Sequence, residues 1–509
     1  MGHMSEVDKN SLPENQHYFL PHLAVFKESS STTKLRVAFD ASNGISLNDA
    51  MLVGPALQQN ICDIILRWRL YKYTFTADIE KMYRQILIAE QHKNYQLVLW
   101  RKNTDEPIKV YRLNTVTFGT AAAPYLAIRT LQKLADDNST NQITSSMILN
   151  EMYVDDLISG GNTVAEAKEK IKQIKSTLET AGFNLRKWTS NSDEVLSSIP
   201  RGERESSFSM PPEDSERVKT LGVHWLPSVD KFSFCYNPLP NPQPTKRFIL
   251  STIARLFDPM GWIAPCIVKA KMFMQQLWAK KLSWDEQIES SLLEQWNVFY
   301  NDLIAINKIQ FPRWVETIGD LSRVELHGFS DASEKAYGAA VYFRVEDDKG
   351  QAKMHLLIAK SRVAPVQPVS LPRLELCGAV MLAQLLDYAT QVLGNKNIKQ
   401  FAWTDSTITL SWIRASPTKW ETFVRNRVGE IQRLTAIKIW KHIPTQHNPA
   451  DLVSRGVLPS DLLENTLWWN GPDFLCDAWV FQYPTQPLIR VHQAERIFPP
   501  INDLLKSIN

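Results

Sequence analysis

The chain lacks the features that mark several classes of protein. It has five cysteines, none of them in a CxxC pair: Cys62, Cys235, Cys266, Cys377 and Cys476. Scattered cysteines argue against a zinc module or a disulfide framework and fit a reducing compartment. We find no apolar run long enough to cross a bilayer and no signal peptide, and the opening MGHM resembles an expression scar. We therefore expect no membrane partner.

Neither sign of charge is in excess. The chain has 57 Lys and Arg residues against 54 Asp and Glu residues, so its net charge of +3 creates no overall field that would indicate a partner. A hydrophobic fraction of 44% and a charged fraction of 22% are typical of a soluble globular protein. The length of 509 residues predicts about three or four domains.

Hydrophobic periodicity predicts a mixed α and β chain. Residues 34–42 and 71–79 have the pattern of strands that end near an Asp, and residues 96–100 and 108–114 that of a β-pair. Residues 121–137 and 164–182 have the pattern of helices. After the proline-rich stretch 237–245 come further helices, and from Val324 three strands, a helix at 371–393 and more strands.

Two adjacent carboxylates stand inside the apolar run MILNEMYVDDLISGG, residues 147–161. Asp155 and Asp156 repel each other and resist burial. Mg²⁺ would neutralise them, because it usually takes one or two carboxylates plus substrate phosphates. Asp78, at the end of strand 71–79, would complete a two-metal site for phosphoryl transfer. The structural alternative is an exposed hairpin turn at the Asp pair and a helix N-cap at Asp78.

The segments around these acids resemble a reverse transcriptase. YVDD, FTADIEKMYRQI and FGTAAAP are similar to its palm motifs, and LPHLAVFKESSSTTKLRVAFDAS, SLNDAMLVGPALQ, YRLNTVTFGTAAAP and FNLRKWTSN are similar to the BEL/Pao group of LTR retrotransposons. The resemblance implies two Mg²⁺ ions per active site, with Mn²⁺ as an alternative. Asp78 and Asp155 would ligate both ions with support from Asp156. The backbone of Ile79 would lie near the bound nucleotide.

The same resemblance implies a nucleotide pocket. We expect an amphipathic helix to start after Asp78 and to carry Tyr83. Tyr83 matches an aromatic residue whose ring excludes the 2′-OH of an rNTP, although a core tyrosine on that helix is the alternative. Arg36 matches an arginine that grips triphosphate, with assistance from Lys34, and arginine suits this role because its fork binds phosphate oxygens bidentately. Solvated strand-edge residues are the alternative here. Phe118 and Gly119 match the pocket floor, where retroviruses usually have Gln instead of Phe118.

Four further acids punctuate the second half: Asp331, Glu375, Asp405 and Asp451. Asp331 and Asp405 end apolar strands, and we expect Glu375 in the first turn of an apolar helix. Separate N-caps and a rim glutamate are the structural alternative. The element order resembles an RNase H fold, in which such a set holds two metals astride the scissile phosphate. His447 matches a loop histidine that shuttles protons, with a solvated loop residue as the alternative and His442 as a weaker candidate.

A basic helical stretch lies between the two sets of acids. The resemblance implies a polymerase thumb that follows the backbone of a duplex, although most charge runs are solvated faces. TLGVHW, residues 220–225, resembles the hairpin that positions the primer end. The predicted nucleic-acid contacts are Lys187, Trp188, Leu221, Gly222, Lys246, Arg247, Arg255, Lys269 and Lys271.

The predicted fold is an α+β multidomain chain: a right-hand polymerase with fingers, palm and helical thumb, followed by an RNase H-like α/β domain with a mixed five-stranded sheet. The predicted domains are 1–10 (expression scar and flexible start), 11–238 (fingers and palm), 239–320 (helical thumb or linker), 321–457 (RNase H-like) and 458–509 (an extension toward integrase of unassigned role).

The predicted function is an RNA- and DNA-templated DNA polymerase fused to a ribonuclease H, cut from a Gag-Pol polyprotein. The predicted partners are an RNA template, a DNA primer, an RNA/DNA hybrid and dNTPs, in cytoplasmic virus-like particles. The sequence leaves open whether the protein is a monomer or a homodimer. The alternatives are a domesticated non-enzymatic nucleic-acid-binding or scaffold protein and a polymerase with a silent RNase H, and the presence of all the acids disfavours both.

Overall fold

The chain forms two compact units, residues 1–216 and residues 217–509. Each β-sheet lies within one unit. The computed structural model describes the following residues: 2–14, 16–26, 35–42, 46–205, 218–239, 243–317, 321–347, 349–395 and 397–476.

The described part of the first unit contains nine strands and six α-helices. The strands are β1 (Met4–Val7), β2 (His22–Phe26), β3 (Leu35–Phe39), β4 (Tyr73–Ile79), β5 (Leu97–Trp100), β6 (Lys109–Leu113), β7 (Met152–Tyr153), β8 (Asp156–Gly161) and β9 (Leu185–Ser190). The helices are α1 (Leu47–Ala50), α2 (Ile61–Trp68), α3 (Ala123–Asp137), α4 (Gln142–Asn150), α5 (Val164–Thr180) and α6 (Asp193–Leu196).

The four-stranded sheet of this unit has the order β7-β8-β4-β9, with all pairs antiparallel. Successive side chains of a strand point to opposite faces. Phe75, Ala77 and Ile79 of β4 therefore share a face, and they are buried in a core with Ile171 and Ile174 of α5. Asp78 lies on the other face, which keeps its carboxylate out of this core.

The expected helix at 164–182 is confirmed as α5. The Thr163 side chain caps it by accepting a hydrogen bond from the backbone N–H of Glu166, and Gly182 follows its end with a φ of 78°. A threonine N-cap and a left-handed glycine beyond the last turn are the usual boundaries of a helix.

The remaining strands of the first unit form a three-stranded sheet, β1-β6-β5, and a two-stranded ribbon, β2-β3. Residues 96–100 and 108–114 are confirmed as a β-pair, since β5 and β6 are antiparallel neighbours. The flexible start that we expect is wrong for residues 4–7, because they form β1, which pairs along its whole length with β6.

The described part of the second unit contains nine strands and nine α-helices. The strands are β10 (Val218–Thr220), β11 (Val223–Leu226), β12 (Lys231–Ser233), β13 (Gln310–Pro312), β14 (Val324–Ala332), β15 (Ala336–Glu346), β16 (Ala352–Val363), β17 (Lys399–Thr404) and β18 (Trp440–His442). The helices are α7 (Lys246–Ala254), α8 (Ala264–Ala279), α9 (Ser290–Asp302), α10 (Leu371–Leu393), α11 (Thr407–Arg414), α12 (Thr422–Leu434), α13 (Ala450–Arg455), α14 (Pro459–Leu463) and α15 (Thr466–Asn470).

The mixed five-stranded sheet that we predict is confirmed, with the order β16-β15-β14-β17-β18. The first three strands are antiparallel, and β17 and β18 run parallel to β14. Helix α10 covers one face, where an added Cβ at Gly328 would lie 2.3 Å from a methyl carbon of Leu382. Glycine at this position lets the helix approach the sheet closely.

A second sheet, β10-β11-β12-β13, lies in the same unit with helices α7, α8 and α9. It joins residues 218–233 to residues 310–312. The domain boundaries at 10, 238, 320 and 457 stay predictions.

One expectation about membranes is corrected by the fold. Helix α10 is long and apolar enough, by length and composition, to cross a bilayer, although we expect no such run. Of the most apolar 18-residue stretch of this helix, 67% is buried within the protein, and the helix packs against β14 and β15. A buried helix in the core of a domain has the same composition as a membrane span, so the length and composition of α10 are explained by its packing.

Candidate active sites

The first group of carboxyls lies where β4 meets the β7–β8 hairpin. Asp78 of β4 is the cross-strand partner of Asp156 of β8, so their side chains share one face of the sheet. Asp155 lies in the two-residue turn of the hairpin, next to Val154, whose φ is 56°. The backbone N–H of Ile79 donates to the carbonyl oxygen of Asp155 at 2.8 Å. The structure therefore brings Asp78, Asp155 and Asp156 together, as predicted.

The turn that carries Asp155 has an unusual backbone. A β-branched residue such as Val154 rarely adopts positive φ, and such strain is found most often at functional sites. The strain supports a functional turn over the simple exposed hairpin that is the structural alternative.

Burial and mutual repulsion change the acidity of the pair. Burial, followed by the carboxylates of Asp155 and Asp78, raises the pKa of Asp156 to about 7. Burial and the Asp78 carboxylate also raise the pKa of Asp155. One cation lies beside them, since the Lys187 ammonium is 3.2 Å from Oδ2 of Asp78. These acids therefore favour an additional positive charge at neutral pH.

Tyr83 lies close to the same acids. It packs half-buried against the core under the sheet, and burial together with the Asp155 carboxylate raises the pKa of its phenol. The helix that we expect here is wrong, because Met82–Gln85 form a single 3₁₀ turn that starts after Lys81 in the left-handed conformation. Ile79 itself is buried, so its backbone is the part that meets the turn.

The other predicted nucleotide-pocket residues lie in two separate segments, the strand β3 and the turn before α3. Arg36 is exposed on β3, opposite Val25 of β2. The ring of Phe118 lies 5.2 Å from that of Phe39, with the Arg84 guanidinium 5.6 Å from the Phe118 ring. Their roles stay predictions, and Lys34 lies outside the described residues.

Gly119 has a backbone that other residues rarely adopt. Its φ is +94°, and an added Cβ would lie 2.5 Å from the carbonyl oxygen of Phe39. A side chain at this position would clash with the backbone of β3, so the close approach requires glycine.

Lys187 and Trp188 have different environments on β9. Lys187 points to Asp78, as described above. Trp188 is fully buried and its ring packs 5.9 Å from that of Phe75. The prediction that Trp188 contacts nucleic acid is therefore wrong, because its indole forms part of the core.

The second group of carboxyls lies at one end of the five-stranded sheet. Asp331 is on β14, and Asp405 directly follows β17, the parallel neighbour of β14 in which Thr404 pairs with Ser330. Glu375 is the fifth residue of α10 and so begins its second turn, whereas we expect it in the first. Asp451 is at the start of α13. The four acids lie far apart in sequence. They meet here because the ends of β14 and β17 and the beginnings of α10 and α13 lie at the same end of the sheet.

Neighbouring carboxylates alter the acidity of this group as well. Burial and the carboxylates of Asp405 and Asp451 raise the pKa of Asp331 to about 7, although Ser454 donates a hydrogen bond to it. Burial and the Asp405 carboxylate raise the pKa of Glu375 to about 7, although Ser406 donates to it. Asp405 is thus the common neighbour of the group.

The position of Asp405 suits a metal ion. Its Oδ2 accepts a hydrogen bond of 2.7 Å from Thr445, whereas its buried Oδ1 has no hydrogen-bond partner within the part of the chain that the structure describes. A buried oxygen without a partner costs free energy unless a ligand satisfies it. Among the described residues no three His, Cys, Asp or Glu side chains form a ready cage for a metal. Mg²⁺ needs only one or two carboxylates when substrate phosphates complete its shell, so the residues fit this ion.

His447 lies on the loop before α13, in a short 3₁₀ turn with Thr445. It is exposed, and its ring packs at 5.8 Å against that of Phe474. Because Thr445 in this turn donates to Asp405, His447 is tied to the acid group. His442 ends β18, beside Thr404.

The basic stretch is less uniform than the sequence suggests. Lys246 is wrong as a nucleic-acid contact: it is buried, its ammonium lies 3.5 Å from the centre of the Trp278 ring, and it donates to the carbonyl oxygen of Leu282. Arg247 is exposed but paired through two hydrogen bonds with Asp285, at 2.8 and 2.9 Å.

The other three cations of this stretch differ in exposure. Arg255 and Lys271 are exposed. Lys269 is half-buried, and its Cβ lies 2.9 Å from the position of an added Cβ at Gly456. Arg255 and Lys271 are therefore better placed than Lys269 to meet a duplex.

The hairpin predicted at 220–225 is present. β10 and β11 are antiparallel and joined by Leu221 and Gly222, with φ values of 55° and 78°. Positive φ at both central residues is the tight hairpin turn that matches strand twist. Leu221 is buried and Gly222 lies against the ring of Phe257, so whether the turn meets nucleic acid stays a prediction.

Sequence reasoning missed the hydroxyls that hold the acids. Ser406, Ser454 and Thr445 each donate to one of them, and the only local signal is that Ser406 directly follows Asp405. It also missed Asn48, whose side chain joins the backbones of Gly119 and Ala121.

Two protein families match the chain. The family "Reverse transcriptase (RNA-dependent DNA polymerase)" matches residues 25–224, which include the first carboxyl group. The family "Pao retrotransposon-like RNaseH-like domain" matches residues 245–406, which include Asp331, Glu375 and Asp405. The two matches identify a reverse transcriptase domain and an RNase H-like domain, and families of both kinds generally use divalent metals. No curated protein matches the chain.

The fold is similar to that of solved foamy viral protease–reverse transcriptases. One was solved in complex with double-stranded DNA and has 14% identity and a TM-score of 0.53, and the match covers 87% of this chain. Another was solved in complex with an RNA/DNA hybrid and has 14% identity and a TM-score of 0.52, again over 87% of this chain. The chain spans 66% and 52% of the lengths of those two chains. The predicted fold class is confirmed. The chain therefore carries a reverse transcriptase domain followed by a Pao retrotransposon-like RNase H-like domain, which is consistent with the reverse transcriptase–RNase H region of a BEL/Pao retrotransposon.

Proposed function

We propose that the protein is a reverse transcriptase that extends a DNA primer on RNA or DNA and degrades the RNA of an RNA/DNA hybrid at a second site. One observation carries the proposal. Each matched domain holds a group of neighbouring carboxyls in which burial and mutual repulsion raise the pKa of at least one acid to about 7. Clusters of this kind are costly for folding alone and typical of sites that bind cations for catalysis.

At the polymerase site, the acids Asp78, Asp155 and Asp156 would hold two divalent metal ions, whose charge would offset that of the triphosphate. When bound, such ions stabilise the charge on the attacking and leaving oxygens of phosphoryl transfer. Lys187 already neutralises part of the charge on Asp78. Tyr83, beside Asp155, would face the sugar and exclude a 2′-OH, and Arg36 would bind the triphosphate oxygens.

At the ribonuclease site, the acids Asp331, Glu375, Asp405 and Asp451 would hold the cations that bring the scissile phosphate into place. The hydroxyls of Ser406, Ser454 and Thr445 orient three of these carboxyls by hydrogen bonds. His447, on the same loop as Thr445, would accept a proton from the attacking water or donate one to the leaving oxygen.

The proposed partners follow from this chemistry. They are an RNA template, a DNA primer, the hybrid they form and dNTPs, with Mg²⁺ as the metal and Mn²⁺ as an alternative. The proposed location is a cytoplasmic virus-like particle.

A single assay tests both activities. The purified protein receives a labelled DNA primer on a differently labelled RNA template, with dNTPs and Mg²⁺. We expect the primer to lengthen and the RNA to be cut behind it, and EDTA to stop both. If folded protein binds the template–primer without changing either strand, while a known reverse transcriptase acts on the same substrate, the protein is a binding module instead.

A further inference from the structure

The chain beyond the predicted RNase H-like domain packs onto its sheet. Trp468 of α15 is fully buried, its Nε1 donates to the carbonyl oxygen of Trp262 at 2.7 Å, and its own carbonyl accepts from the Tyr342 hydroxyl at 2.7 Å. Further on, Nε of the buried Arg344 donates to the carbonyl oxygen of Leu475 at 2.7 Å. Two side chains of β15 thus hold this segment by hydrogen bonds to its backbone.

Phe474 is a side chain of this segment that contacts two residues close in sequence to the acid group. Its ring lies edge-to-face at 5.9 Å from Trp403, two residues before Asp405. It also lies edge-to-face at 5.8 Å from His447. One phenyl ring therefore contacts both the strand that leads to Asp405 and the loop that carries the candidate proton-transfer residue.

Other contacts fix the backbone of that loop but leave its histidine exposed. Thr445 donates to Asp405, and the buried Asn448 donates to the carbonyl oxygen of Ser330 at 3.1 Å. His447 lies between these two anchors, and its ring meets Phe474. An edge-to-face aromatic pair is favourable beyond the area that it buries, so this contact favours one orientation of an exposed ring.

We propose that the segment Thr466–Cys476 is an integral part of the RNase H-like domain and that Phe474 is a positioning residue for His447. The inference rests on the proposed ribonuclease function. Phe474 acts on the reaction through the imidazole and not through the hybrid. It therefore governs the rate of cleavage and leaves hybrid affinity unchanged.

The test compares hybrid cleavage by the wild-type chain and four variants: Phe474→Ala, Phe474→Tyr, His447→Ala and the Phe474→Ala/His447→Ala double variant. We expect Phe474→Ala to lower kcat about 10-fold, part of the roughly 10²–10⁴-fold that a placed acid or base supplies, with KM unchanged. Phe474→Tyr, which keeps the ring, should retain the rate. In the double variant Phe474→Ala should add little to the effect of His447→Ala. DNA polymerisation by the same preparations should be unchanged.

Three results would overturn the inference. The first is a kcat of Phe474→Ala equal to that of the wild type, and the second is a rise in the KM of Phe474→Ala without a change in kcat. The third is a kcat of the double variant that is lowered by the full product of the two single-variant decreases. If Phe474→Ala does not fold, Phe474→Leu keeps most of the volume without the flat ring and should still lower kcat. A wild-type rate for that variant contradicts positioning. Asp405→Asn distinguishes a failure of the proposed ribonuclease function from a failure of the Phe474 inference. If Asp405→Asn still cleaves the hybrid, the proposed ribonuclease site is wrong. If Asp405→Asn abolishes cleavage while Phe474→Ala cleaves at the wild-type rate, only the role of Phe474 is wrong.

Discussion

At the residue scale, the buried carboxyls make the protein less stable when no cation is bound. Asp156 has its pKa raised to about 7 from an ordinary value of 3.8. Between these two pH values the folded protein keeps a proton that the unfolded chain releases. The free energy of unfolding therefore falls as the pH rises from about 4 to about 7.

Asp156→Asn removes this cost, because the amide carries no charge. In EDTA at pH 8 we expect the variant to be more stable by about 1–2 kcal/mol, which raises the unfolding midpoint by roughly 2–8 °C. The gain should shrink toward pH 4, and Mg²⁺ should stabilise the wild type more than the variant. The measurement is thermal unfolding across this pH range, with the exposed Asp105→Asn as a control. Equal midpoints for wild type and Asp156→Asn at pH 8 would contradict the account.

Tyr83 is predicted to select the sugar by its bulk. Tyr83→Phe should keep the preference for dNTPs, because the clash depends on the ring and not on the hydroxyl. Tyr83→Val should admit rNTPs by a margin of about 1–3 kcal/mol, or roughly 10- to 200-fold. The measurement is kcat/KM for dCTP and CTP on one primed template. An unchanged ratio in an active Val variant would make Tyr83 a core residue only.

At the element scale, periodicity and end signals predict most of the helices and strands near the sites. Helix α5 lies between its capping threonine and the glycine after its last turn, and the hairpin β7–β8 lies in the apolar run around the acids. The segment after Asp78 differs, because Met82–Gln85 form only one 3₁₀ turn where an amphipathic helix is predicted. Lys81 takes a left-handed backbone there, which a local apolar pattern does not indicate.

Helices α7 and α8 provide a test of duplex binding at this scale. Lys271→Ala should weaken template–primer binding for all sequences alike. It should also lower the slope of log affinity against log salt by about 0.9 for each phosphate that the protein ceases to neutralise on B-DNA, and somewhat differently on a hybrid. Arg247→Ala is the matched control and should leave the slope unchanged, because Asp285 already pairs with that guanidinium. A slope unaffected by Lys271→Ala would mean that this lysine is a solvated surface residue.

At the scale of the whole molecule, the sequence predicts the acids better than their surroundings. Acids at strand ends such as Asp331 and Asp405 are visible in local patterns, and the sheet topology brings them together. The hydroxyl that orients Asp331 comes from Ser454, 123 positions away, and the cage around Lys246 comes from tryptophans more than thirty positions away. Contacts of this kind depend on tertiary packing, which neither periodicity nor propensity specifies. For the same reason Lys246 and Trp188 are mistaken for surface residues.

The central claim is that the chain carries two separate catalytic centres. The most direct measurement compares DNA synthesis and hybrid cleavage by Asp155→Asn and Asp405→Asn, each checked for folding by its unfolding midpoint. Both substitutions keep the shape of the side chain and remove one ligand charge. We expect Asp155→Asn to abolish dNTP incorporation and leave cleavage largely intact, and Asp405→Asn to do the reverse. If either substitution removed both activities from well-folded protein, the claim of two separate centres would be contradicted.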